Sequence, residues 1–149
     1  MKEAVSIIKN GGIGVMPTDT TYGLLGSAFS KKTVERIYKI RKRNTTKPFI
    51  VLISNISDLK KFGINLAEQD KKILFKYWPG KISFILSCLN KKFLYLHRGV
   101  NAIAFRIPKD KKLSTFIKKT GPLVAPSANL EGMPVAENIK EAKKYFNKK

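Results

Sequence analysis

The chain carries 30 basic residues against 10 acidic ones, yet only five of the basic residues are arginines: Arg36, Arg41, Arg43, Arg98 and Arg106. A guanidinium is planar, permanently charged and able to grip a carboxylate or phosphate from two sides. Its positions therefore carry more chemical information than those of scattered lysines. Arg41 and Arg43 stand together in "RKRNTTKP" (41–48), beside Lys47. Arg106 is the one charged residue in the apolar run "NAIAFRIP" (101–108), where a charge requires an anionic partner or a solvated cleft. Hydroxyls and small amides gather in two further places. "PTDTTYGL" (17–24) crowds Thr18, Asp19, Thr20 and Thr21 after a short apolar run, and "APSANLEGMP" (125–134) sets Ser127 and Asn129 around Ala128. Hydroxyl and backbone N–H groups hold carboxylate and phosphate oxygens. The chemistry these residue types support is anion binding and charge stabilisation.

Each cluster also has a plainer reading. Asp19 and the threonines are turn-capping residue types, cations suit a helix C-terminus, and a structural ion pair would satisfy Arg106. Other chemistries are excluded by what the sequence lacks. His97 is the only histidine and Cys88 the only cysteine, so no His/Cys metal cluster and no disulfide framework can be built. Cys88 reads as a buried free thiol, suited to a reducing cytoplasm. There is neither a G-x-x-x-x-G-K-[ST] loop nor a G-x-G-x-x-G fingerprint.

The elements that must position these residues alternate. A helix is expected over 2–10, stopped by Gly11-Gly12, and a buried strand over 13–17. The threonine-rich stretch is expected to mark the end of that strand, at a handover to a helix. Ser30 reads as the N-cap of a helix over 30–43 with Val34, Ile37 and Tyr38 on its apolar face. Strands are expected at 47–54, 81–87, 101–108 and 122–125. Helices are expected at 57–62, 67–77, 109–119 and 136–146, with "WPG" (78–80) as a hard stop and a fraying end at 147–149. This is an α/β (α+β) pattern: a mixed sheet with flanking helices, in one domain over residues 1–149. No apolar run approaches the length of a membrane span, and the N-terminal stretch reads as a helix rather than a signal peptide.

Hydrophobic residues make up 43% of the chain and the net charge is +20. Such a surface attracts polyanions, nucleic acid included. The excess is almost entirely lysine, which a bias toward AT-rich codons would also produce.

Taken in order, "PTDTTYGL", "IYKIRKRNTTKPFIVLI", "WPGKISFIL", "AIAFRIP" and "PLVAPSANLEGMP" resemble the YrdC/TsaC family, the L-threonylcarbamoyladenylate synthases, from about residue 3 to 140. The resemblance implies a twisted sheet around a basic cavity. It also implies the formation of threonylcarbamoyl-AMP and pyrophosphate from L-threonine, bicarbonate and ATP, with Mg2+ accompanying ATP. A separate transferase complex would then pass the group to adenosine 37 of tRNA. By the same resemblance, Thr20, Tyr22, Arg106 and Ala125 bind L-threonine. Arg43, Lys47, Ala102, Ser127, Asn129 and Val135 bind ATP, and Arg41 and Arg43 are the catalytic cations. No resident metal site and no membrane are implied. A non-catalytic RNA-binding module of this fold, acting on tRNA or double-stranded RNA, is the alternative. Three departures stand out. Arg41 occupies a usual lysine position, Leu52 replaces a frequent histidine, and the chain stops where relatives continue for several tens of residues.

Overall fold

The computed structural model describes residues 1–146. In chain order the elements are α1 (Lys2–Lys9), β1 (Gly14–Pro17), β2 (Tyr22–Ser27), α2 (Lys31–Arg41), β3 (Val51–Leu52), α3 (Glu68–Tyr77), β4 (Phe84–Ser87), α4 (Leu94–His97), β5 (Ala102–Arg106), α5 (Lys111–Thr120), β6 (Leu123–Val124) and α6 (Ile139–Phe146). Short 3-10 turns lie at Ile56–Phe62 and Lys91–Phe93. The fraying expected for 147–149 lies outside the described residues.

All six strands join one mixed sheet in the order β1-β2-β6-β3-β5-β4. Only β3 and β5 run parallel. The other pairings are antiparallel. Adjacent residues in the central strands divide between the two faces. Leu24, Val51, Phe105 and Val124 enter the larger core with Val34, Ile37, Tyr38 and Phe62. Leu25, Leu52 and Leu123 enter a second core with Ile8 of α1 and Leu113, Phe116 and Ile117 of α5. A strand buried on both faces reads as a continuous apolar run, which is why "FIVLI" shows no alternation.

One expectation is corrected. The threonine-rich stretch does not lead from a strand into a helix. It is the tip of an antiparallel hairpin in which Pro17 faces Tyr22 and Gly14 faces Leu25. The helix begins one strand later, capped by Ser30, whose hydroxyl accepts from the Thr33 N–H at 3.2 Å. The segments expected as strands at 47–54 and 122–125 shrink to two ladder residues each. Pro122 and Pro126 have no N–H to donate, yet their carbonyls accept from Ala28 and Leu24 and so dock the segment on β2.

Candidate active site

The hairpin tip is organised by its own hydroxyls. Thr18 Oγ1 accepts from the N–H groups of Thr20 and Thr21, both at 3.2 Å, and donates to the Thr21 carbonyl at 2.6 Å. Thr18 is thus the turn-capping residue. Asp19 instead leaves the turn to accept from Arg106 Nη2 at 2.9 Å and from the Lys109 N–H at 3.3 Å. Thr20 Oγ1 lies 3.5 Å from the same Arg106 nitrogen. The anionic partner that Arg106 required is therefore Asp19, with both side chains below 10% exposed. Arg106 Nε remains buried without a partner.

Next to the tip, Thr20, Tyr22 and Val135 line a cavity of about 480 Å³, with Thr18, Thr21 and Glu137 on its wall. Tyr22 and Val15 pack on Ala128, Ala136 and Ala142. This small cluster fixes the 134–137 segment against the hairpin. Ser127 forms a bridge with Gly23, and the Ala128 N–H donates to the Tyr22 carbonyl at 2.8 Å, so the Ser-Ala-Asn loop is stitched to the same hairpin.

Arg41, one of the two expected catalytic cations, is buried, 3% exposed, as the last residue of α2. Its Nε donates to the Asn129 carbonyl at 2.9 Å, and its Nη2 reaches Asn129 Oδ1 at 2.9 Å and Ser127 Oγ at 3.3 Å. Asn129 Nδ2 in turn donates to the Met133 carbonyl at 2.7 Å. These bonds tie Arg41 to the Ser-Ala-Asn loop. Burial, together with the nearby Arg43 charge, lowers the Arg41 pKa to about 10 against a favourable contribution from Glu131. It stays protonated at neutral pH.

Arg43 and Lys47 form the second cationic group. Both meet Glu131, at 3.6 Å and 3.2 Å, and the other oxygen of that carboxylate accepts from the Asn44 N–H at 2.7 Å. Arg43 Nε is buried without a partner, and its guanidinium lies 5.9 Å from the Phe49 ring centre. The loop carrying both cations is pinned by Tyr38. Its ring stacks on Phe49 at 3.9 Å and its hydroxyl donates to the Lys47 carbonyl at 2.8 Å. Arg98 stacks on the other side of Tyr38 while pairing twice with Glu35, at 2.7 Å and 3.1 Å.

Ala102 and Arg106 alternate on one face of β5, but four residues apart, about 13 Å along the strand. Ala102 faces Ser87 across the β4–β5 ladder. That face, covered by α1 and α5 near Leu52, is open farther out. Ile85, opposite Ala104, is 76% exposed. Ala125 lies on the same side, half-buried, with its N–H donated to the Ile50 carbonyl at 3.0 Å. Sequence reasoning missed the acids: Asp19 as the partner of Arg106, and Glu131 as the partner of Arg43 and Lys47. Their scarcity in so basic a chain was the available signal.

The model of the Sua5/YciO/YrdC family, described as telomere recombination, matches residues 6–149. The chain belongs to this family. A threonylcarbamoyl-AMP synthase of Bacillus subtilis is 31% identical over 134 residues, 89% of this chain and 39% of that protein. One from Enterobacter is 27% identical over 147 residues, 97% of this chain and 77% of that protein. The crystal structure of Pyrococcus abyssi Sua5 complexed with L-threonine matches with a TM-score of 0.88 at 25% identity, covering 96% of this chain and 42% of that one. This Sua5/YciO/YrdC chain thus spans about two fifths of the length of the Bacillus and Pyrococcus proteins. The mixed α/β sheet expected from the sequence is the fold these relatives share.

Proposed function

We propose that the chain is a threonylcarbamoyladenylate synthase domain, a nucleotidyltransferase that joins L-threonine, bicarbonate and ATP into threonylcarbamoyl-AMP and pyrophosphate. The product would supply the threonylcarbamoyl group that a separate transferase complex places on adenosine 37 of tRNA. The observation that carries the proposal is the hairpin tip. There the Arg106 guanidinium, paired with Asp19, comes within 3.5 Å of the hydroxyl of Thr20, which lines a cavity together with Tyr22 and Val135. This is the equipment for a small molecule bearing a carboxylate.

The chemistry explains the need for two cationic groups. The threonine amine and bicarbonate give a carbamate and water. A carbamate oxygen then bonds to the α-phosphorus of ATP as the bond from that phosphorus to the pyrophosphate oxygen breaks. Both partners are anions, and two unit charges 4 Å apart repel by about 4 kcal/mol at an effective dielectric of 20. Fixed cations must offset that repulsion. Arg106 and Thr20 would hold the threonine carboxylate, with Tyr22 and the Ala125 carbonyl as walls. Arg43 and Lys47 would hold the phosphates, with Ser127, Ala102 and Val135 toward the nucleoside, and Arg41 and Asn129 would keep the loop in shape. Rate enhancement then comes from positioning and charge stabilisation. Magnesium would enter as part of the ATP substrate.

Titration calorimetry with L-threonine tests this assignment. The wild type is expected to bind, and Arg106→Ala to weaken binding at least tenfold. Equal affinity in the two proteins would remove Arg106 from the site.

A further inference from the structure

Glu131 is one of only 10 acidic residues in the chain. It sits where two cations and a backbone donor converge: Arg43 Nη1 at 3.6 Å, Lys47 Nζ at 3.2 Å and the Asn44 N–H at 2.7 Å. One oxygen takes the two cations and the other takes the backbone donor, which is how a phosphate oxygen pair would be received. The carboxylate comes from a different part of the chain, in the loop after Asn129. That loop turns at Gly132 with φ +80°, and the Glu131 N–H is anchored on the Arg41 carbonyl at 2.9 Å. Arg43 Nε, buried and without a partner beside this carboxylate, leaves donor capacity that Glu131 does not use.

We infer that Glu131 is a built-in competitor at the phosphate-binding group and sets the charge a ligand must bring in order to bind there. The inference rests on the assignment of Arg43 and Lys47 to ATP. A ligand reaches those cations only by displacing the carboxylate or by lying against its negative charge. A monophosphate, with one to two charges, gains from the cations little more than Glu131 already gains, so its exchange is close to neutral. A triphosphate carries more charge and more oxygens, so it displaces the carboxylate. Glu131 thereby raises the concentration every anion needs, keeps weakly held monophosphates off, and holds the cationic loop folded until a polyphosphate arrives.

The test is calorimetric binding of ATP, AMP and tripolyphosphate to the wild type, Glu131→Gln, Glu131→Ala and Arg43→Ala, with thermal unfolding as the check on folding. Glu131→Gln keeps the shape and removes the charge. It is expected to tighten tripolyphosphate, ATP and AMP each by about tenfold, because the same carboxylate gives way to every one of them. Glu131→Ala is expected to show the same direction. Unchanged or weaker binding by both Glu131 variants, with binding still lost in Arg43→Ala, overturns the inference while leaving the phosphate site standing. Retention of full affinity in Arg43→Ala overturns the site itself, and the inference with it.

Discussion

Arg106 and Asp19 form an ion pair with side chains 9% and 8% exposed, so each depends on the other for charge compensation. Removing one member of such a pair costs about 3–5 kcal/mol, because the survivor is stranded in a poorly solvated place. Arg106→Ala should therefore lower stability by roughly 3 kcal/mol, and Arg106→Ala combined with Asp19→Ala should recover much of that loss. A urea-denaturation double-mutant cycle measures the coupling, and a coupling near zero would contradict the pair. Threonine binding separates the two residues. Asp19→Ala should retain it, since the guanidinium remains, whereas Arg106→Ala should not. At this scale the sequence was informative about cations and silent about their partners. Arg106 stood out because a strand otherwise apolar contains it. Arg41, three residues after Tyr38 and four after Ile37, was legible as the inward-facing end of its helix and Arg43 as a loop residue, and the structure places them so.

At the scale of elements, α2 packs closely on β2. A Cβ on Gly26 would stand 2.6 Å from Thr33 Cγ2 and 2.9 Å from Ile37 Cδ1, so Gly26→Ala must push the helix from the sheet or twist buried side chains. Overpacking of this kind costs about 1–3 kcal/mol, and a lowered urea midpoint at unchanged slope is the expected reading. The 3-10 turn Ile56–Phe62 opens with a capping box between Asn55 and Asp58. Burial alone would raise the Asp58 pKa, but the Lys61 ammonium and the Ser54 N–H and hydroxyl outweigh it and hold the carboxyl below its ordinary value. A lowered folded pKa means that Asp58 stabilises the fold fully above its unfolded pKa of about 3.9, and that this contribution fades as pH falls through the folded pKa. Asp58→Asn should be less stable near neutrality and should lose less on acidification, as stability against pH would show. α2, β5 and the strand beginning at Gly14 were legible because caps, alternation or glycine stops marked them. β2 was not, since "YGLLGS" is buried in the sheet interior and small residues blur its pattern. α4, four residues long, is too short to show a period.

For the molecule as a whole, the net charge of +20 favours polyanions whatever the site does. The lysines behind it are dispersed along the chain, so RNA affinity should fall steeply between about 50 and 200 mM salt. It should also be nearly the same in Arg43→Ala as in the wild type, as fluorescence anisotropy with a tRNA would report. An RNA affinity that disappears with Arg43 would place RNA in the proposed nucleotide site and favour a binding module over an enzyme. The mixed sheet was legible from the alternation of apolar strands and amphipathic helices. The contacts that join Thr20 to Arg106 and Arg41 to Ser127 were not visible in any single stretch, because they depend on strand order. β6 lies between β2 and β3, which brings the Ser-Ala-Asn loop to the hairpin and the loop of Arg43 beside it. No helix among the described residues is long and apolar enough to cross a membrane.

The decisive measurement is pyrophosphate release from ATP by the purified chain, with L-threonine and bicarbonate added singly and together. Release that requires both co-substrates and is lost in Arg43→Ala and Arg106→Ala is the expected result. The absence of release with all three present, or release indifferent to threonine, would contradict a threonylcarbamoyladenylate synthase.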